Sequence, residues 1–276
     1  LDTIGEVDAG MLGGHLIEAA MSSHPVSSLH TGEAALRRDT ATALAAACLG
    51  LALLAWTLGQ LAGFGAWYVP KALLGLALTA ACIWRGLATH APHQRFGAAN
   101  AVTLTRLALV ALLAAAASEP LNGQAGLAWL LLGLATLAAV LDMVDGPLAR
   151  RSGQASAFGA RFDMETDALL VLVLSLLVWH LGKAGAWVLA AGAMRYAFVL
   201  AACVWPWLGA ALPASWRRKA VCVALITALI VCLGPIIPVT ASQAIAASGL
   251  ALLAWSFARD LVWLARQRST LPETAP

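Results

Sequence analysis

The sequence predicts an all-α polytopic membrane protein of about eight spans, and three observations carry that expectation. Of 276 residues, 61% are hydrophobic and only 11% charged, where a soluble domain carries about 25% charged residues. The mean hydropathy is +0.81. From about residue 40 onward the apolar residues gather in runs of near twenty, the length that crosses a hydrocarbon core at about 1.5 Å per helical residue.

Taken in order, residues 1–39 are polar and mixed, without a sustained period, and read as a loose cytoplasmic, disordered tail. His15, His24 and His30 fall there at irregular intervals and give no metal-ligand spacing. Met11 and Met21 are rival starts to Leu1. The first apolar run begins near Thr40 and is too long for a secretory signal. Spans are expected at about 41–63, 67–88, 100–118, 125–145, 162–181, 185–207, 219–237 and 241–263. Pro70, Pro120, Pro206, Pro213, Pro235 and Pro238 fall near the ends of these runs, where a missing N–H costs a helix least. Five cysteines are scattered through apolar runs without a C-x2-C pair, so they read as small packing residues, with neither a disulfide framework nor a zinc site.

Basic residues set the orientation. Arg37 and Arg38 precede the first run, Arg85 and Arg95 follow the second, and Arg150, Arg151 and Arg161 join the fourth to the fifth. Arg217, Arg218 and Lys219 precede the seventh, and Arg266 and Arg268 follow the eighth, whereas the alternate loops hold only Lys71 and Lys183. An excess of Lys and Arg marks the cytoplasmic side. Both termini and the loop between the fourth and fifth spans are therefore expected in the cytoplasm, with the chain in the cell inner membrane. Tryptophans near span ends, among them Trp67, Trp179, Trp205, Trp207 and Trp216, read as interfacial anchors.

Four aspartates break the apolar pattern at one place. They follow Asp142-x2-Asp145-Gly146-x2-Ala149-Arg150-x8-Gly159-x3-Asp163-x3-Asp167. An unpaired Asp near the bilayer centre costs roughly 2.5–3.5 kcal/mol on insertion scales, so four call for cations or basic partners. Separations of three and four residues put each pair on one helix face. Two such faces turned toward each other make an all-oxygen cage suited to a hard cation such as Mg²⁺ or Mn²⁺.

The cassette closely resembles the motif of the CDP-alcohol phosphatidyltransferase family, matching every fixed position including both glycines and the Ala-Arg pair. The resemblance covers about 97–268. It implies a six-helix transferase core preceded by a two-helix hairpin at 40–96 and followed by a short cytoplasmic tail at 269–276. The hairpin reads as a packing or dimer-stabilising addition, with a regulatory or lipid-access role as the alternative, so a homodimer is among the expectations. The implied reaction moves a phosphatidyl group from a CDP-lipid donor such as CDP-diacylglycerol to a small alcohol acceptor, releasing CMP, in phospholipid biosynthesis. Bilayer lipid is the other expected partner, and no nucleic acid is.

Carried over by position, the resemblance makes Asp142, Asp145 and Asp163 ligands of two Mg²⁺ or Mn²⁺ ions, and makes Asp167 a ligand or the base for the acceptor hydroxyl. Gly146, Ala149 and Gly159 let a nucleotide approach the backbone or let helices pack closely. Arg150 suits phosphate oxygens. Asn100-x2-Thr103-x2-Arg106 resembles the opening of the family's first core helix. Asn100 reads as an N-cap, and Thr103 and Arg106 as lining the CDP site, with Arg106 otherwise free to snorkel.

Arg195 lies within an apolar span that has no acid of its own. An intramembrane arginine asks for a counter-charge, here the aspartate–metal cluster or a bound phosphate. Arg195 with Arg217, Arg218 and Lys219 leans toward an anionic acceptor. Glu165, four residues from Arg161, reads as a helix-surface pair with it. Two other classes make different demands on the acids. An intramembrane Mg²⁺-dependent prenyltransferase would show two separated Asp-rich motifs, and a divalent-cation transporter would spread acids over several spans. Neither pattern is present.

Overall fold

A computed structural model describes residues 25–90, 95–121, 125–153, 155–210, 212–213 and 215–270. Among them the chain is all-helical, with no strand. The long helices are α1 (Pro25–Ala62), α2 (Tyr68–Gly86), α3 (Ala98–Ala116), α4 (Ala125–Arg151), α5 (Ala157–His180), α6 (Leu189–Val204), α7 (Trp216–Leu233) and α8 (Val239–Thr270). Three short 3-10 turns intervene at Leu87–His90, Ala186–Val188 and Pro206–Gly209.

Among the described residues, five helices are long and apolar enough to cross a membrane: Glu33–Ala62, Ala98–Ala116, Ala125–Arg151, Ala186–Val204 and Val239–Gln267. The expected count of about eight therefore stands at five on length and composition. The remaining α2, α5 and α7 coincide with expected spans but carry charges: Lys71 and Arg85, then the second aspartate pair with Glu165, then Arg217, Arg218 and Lys219.

The N-terminal expectation needs correcting. Helix α1 begins at Pro25, so 25–39 is helical rather than loose. Leu36 and Thr40 are buried, and Asp39 Oδ2 accepts a hydrogen bond from Phe96 N at 2.8 Å. Residues 1–24, with His15, His24, Met11 and Met21, lie outside the described residues, as do 271–276.

Helix α3 is the axis of the bundle. It packs against α1, α2, α4 and α5, and its faces are buried by Leu104, Leu107, Val110, Leu112 and Leu113. The α1–α2 hairpin is fixed to it by Tyr68, whose hydroxyl donates to Leu112 O at 3.1 Å. The start of α3 is set by Gly97, whose φ of 86° lies where a side chain is strained. Asn100 is therefore not the N-cap. It sits within the first turn and donates through Nδ2 to Phe96 O at 2.5 Å.

The two expected outer lysines turn inward to tie loops. Lys71 pairs with Glu119 at 2.8 Å, and Lys183 Nζ donates to Gly234 O and Ile237 O at 2.9 and 2.7 Å. They mark the end of the bundle opposite the aspartates. Close packing of α5 on α6 depends on Gly192, where a Cβ would lie 2.5 Å from Leu172 Cα. Pro147 is an exception to the prolines at helix ends. It lies inside α4 and denies the Met143 carbonyl its usual helical N–H.

Candidate active site

The site forms where the first turns of α3, the last turns of α4 and the first turns of α5 meet. Asp142 and Asp145 come from α4, and Asp163 and Asp167 from α5. The α5 start is fixed by Ser156, whose Oγ accepts from Gly159 N at 3.1 Å. His90 holds Ser156 from behind, with Nδ1 2.7 Å from its Oγ, while Nε2 lies 2.9 Å from Arg95 O.

Between the two carboxylate pairs lies the guanidinium of Arg106, wholly buried. Its Nη1 is 2.8 Å from Asp145 Oδ2 and 2.5 Å from Asp163 Oδ1, and its Nη2 is 2.9 Å from Asp142 Oδ1 and also pairs with Asp167 Oδ1. Nε donates to Ala138 O at 3.2 Å. Arg106 thus does not snorkel. A planar fork with five donors is the side chain that can serve four carboxylates and a carbonyl together. Thr103, one turn earlier, donates to Asp145 Oδ2 at 3.1 Å.

One guanidinium serves four carboxyl groups, so the cluster holds more acid than this cation alone can balance. Ligand oxygens of Asp142, Asp145 and Asp163 lie within 4.8 Å of one another. An all-oxygen donor set with excess negative charge fits hard divalent cations, so the residues present suit the expected metal.

The glycines separate. A Cβ on Gly159 would lie 3.0 Å from Asn100 Oδ1, so this glycine has a packing reason of its own. A Cβ on Gly146 would meet only the Arg150 guanidinium at 3.5 Å, which leaves its backbone approachable. Ala149 is half-buried and Arg150 exposed on the last turns of α4.

Arg195 is not brought to the aspartates. It pairs with Glu165 Oε1, and its Nε lies 3.4 Å from Oε2. Glu165 faces away from Asp163 and Asp167, so the counter-charge missing from α6 comes from the neighbouring helix α5. This replaces the expected pairing of Glu165 with Arg161. Arg217 Nη2 pairs with Asp260 at 2.5 Å and its Nη1 donates to Ser256 Oγ and O at 2.5 and 2.9 Å. Arg218 lies 3.5 Å from Asp260 and donates to Pro213 O, while Lys219 is exposed. Asp260 was not singled out from the sequence. The signal was there, since it is the single acid of α8.

The family model for CDP-alcohol phosphatidyltransferase matches residues 96–258. That is more than half of the chain, and it contains all four aspartates and Arg106. The chain belongs to the CDP-alcohol phosphatidyltransferase family, and its apolar helices make it a membrane transferase of that kind. No curated protein and no solved structure matches it.

Proposed function

We propose that this protein transfers a phosphatidyl group from a CDP-lipid to an alcohol with release of CMP. The observation that carries the reading is the convergence of Asp142, Asp145, Asp163 and Asp167 from two helices, within the stretch that the family model matches. Asp142, Asp145 and Asp163 would hold the divalent cations, with Asp167 beside them. Bound there, two dications supply charge neutralisation for a pyrophosphate and acidify a nearby hydroxyl. The acceptor oxygen forms a bond to the lipid-side phosphorus, and the bond from that phosphorus to the bridging oxygen breaks. CMP leaves with the electron pair, and the hydroxyl proton passes to Asp167.

Arg106 aligns the four carboxylates through its ion pairs to them when no dication is present. The nucleotide would lie against Thr103, Gly146, Ala149 and Arg150. Gly159, given its contact with Asn100, supports the site by packing. The family core is read as 97–268, with the 40–96 hairpin added to it. The excess of basic residues at the aspartate end supports a cytoplasmic site and cytoplasmic termini.

On the acceptor side, Arg217 and Arg218 line a cavity of about 570 Å³ together with Arg259, Arg266, Trp255 and Trp263. Arg217, Arg218 and Arg259 beside Asp260 favour an anionic acceptor there. Lys219 adds charge at the same helix start. Arg195, held by Glu165, is the weaker member of the set.

The test is CMP release from CDP-diacylglycerol in the presence and absence of Mg²⁺, with a panel of alcohols. Asp142→Asn, Asp145→Asn and Asp163→Asn should each lower turnover by more than about 100-fold, because an amide keeps the shape but not the charge that holds a dication. Wild-type turnover in any two of the three removes the metal assignment.

A further inference from the structure

The arginine cavity does not end at its polar wall. Ala258, which lines it, also lines a second, apolar groove of about 370 Å³ between α6 and α8. Met194, Ala197, Phe198 and Ala201 line one wall at helical spacing, and Ala254, Phe257, Ala258 and Leu261 line the other. The two helices touch at few points, the edge-to-face pair of Phe198 and Phe257 among them. Alanines on both walls keep the groove wide. Leu200, Val204 and Trp205 beside it are exposed, so it opens toward the surface that faces the bilayer.

The polar part is built for a phosphate. Two arginines lie over Trp255, with the Arg217 and Arg259 guanidinium carbons 5.6 and 5.5 Å from its ring centroid. Such stacking fixes the planes of two forks whose remaining N–H groups can meet an anion. Asp260 neutralises one arginine charge and leaves the cavity cationic. A free phosphate would use only this half. An amphiphile with an anionic head and an aliphatic tail would use both, and it would also cover apolar surface that no described residue covers.

We propose that cavity and groove are one binding site for an anionic membrane lipid, its phosphate among Arg217, Arg218 and Arg259 and one acyl chain between α6 and α8. This rests on the reading of the cavity as the acceptor's, and it makes the acceptor an alcohol already carried on a lipid phosphate. The covalent step is the one given above, with the lipid's own hydroxyl as the attacking group.

The experiment separates binding from turnover. The purified full chain in neutral detergent is titrated with dioleoyl phosphatidylglycerol, which has a phosphate and free hydroxyls, with dioleoyl phosphatidylcholine, and with glycerol 3-phosphate. Saturable stabilisation by phosphatidylglycerol alone is expected. Arg259→Gln and Ala201→Phe should each weaken it about tenfold or more, one by removing a charge-assisted contact and the other by filling the groove. Arg259→Lys should retain part of it, and the lipid-free melting midpoint of each variant reports that it is folded.

Equal stabilisation by glycerol 3-phosphate, or no effect of Ala201→Phe, overturns the lipid assignment. So does efficient disulfide-linked dimerisation through Ala201→Cys, which would give the groove to a second copy. CMP release with glycerol 3-phosphate but not with phosphatidylglycerol refutes the lipid acceptor and leaves the transferase intact. Phosphatidylglycerol binding without CMP release from CDP-diacylglycerol, whatever the alcohol, refutes the transferase reading and leaves the lipid site standing.

Discussion

Arg106 of α3 and Asp145 of α4 form an ion pair of 2.8 Å in which both side chains are almost wholly cut off from solvent. Removing Arg106 leaves Asp145 buried with only the Thr103 hydroxyl as a partner among the described residues. The same guanidinium also holds three more carboxylates, so one residue of the first core helix fixes the spacing of the two aspartate pairs. The acidic cluster is thereby held in a fixed arrangement by one shared cation.

Removing that cation should expose its structural role. Breaking a buried pair by deleting one partner costs about 3–5 kcal/mol, because the remaining charge stays buried. Arg106→Met is expected to lower the melting midpoint of the detergent-solubilised protein strongly in EDTA. Excess Mg²⁺ should recover a large part of that loss, since binding to the folded state alone stabilises it by mass action. A deficit identical with and without Mg²⁺ would show that the carboxylates do not share a dication.

The Arg195–Glu165 pair predicts coupling within the membrane domain. A pair this exposed contributes modestly, about 1 kcal/mol or less. Arg195→Ala and Glu165→Ala should each destabilise slightly, and the double variant should lose little beyond either single one. Strictly additive losses, together with an acceptor KM raised only by the arginine change, would return Arg195 to the acceptor site.

Gly192 offers a packing test remote from the chemistry. A methyl group there would meet the α5 backbone at Leu172, so Gly192→Ala must push α6 from α5. The expected cost is about 1–3 kcal/mol of overpacking, read as a lower unfolding midpoint. A gain in stability, as the higher helix propensity of alanine alone would give, would show that the helices separate freely.

Sidedness is checked by labelling. Ser152→Cys, on the exposed turn between α4 and α5, is expected to react with a membrane-impermeant reagent only from the cytoplasm, in a background without the five native cysteines. The expectation follows from the basic residues at this end. Labelling in intact cells would invert the topology.

How much of this was legible in advance follows from what each feature depends on. Helix positions from α2 to α8 followed the apolar runs, because burial in hydrocarbon needs about twenty apolar residues in a row wherever the helix packs. The helical character of 25–39 was not legible, since its polar composition carries no period and its order comes from contacts such as Asp39 with Phe96. Asn100 was misplaced as a cap because Gly97, whose positive φ starts the helix, is only one of the chain's 24 glycines.

The sequence by itself determined a membrane-embedded helical chain and one acidic cassette, because length of apolar run and the i, i+3 and i, i+4 geometry are local properties. It could not determine which cation stands among those aspartates. Arg106 lies 36 residues before Asp142, and only the crossing of α3 with α4 and α5 brings them within hydrogen-bond distance. The partners of Arg195 and Arg217, Glu165 and Asp260, were hidden for the same reason. A buried charge takes its counter-charge from whichever helix packs beside it, and which helix that is depends on side-chain packing across the whole bundle.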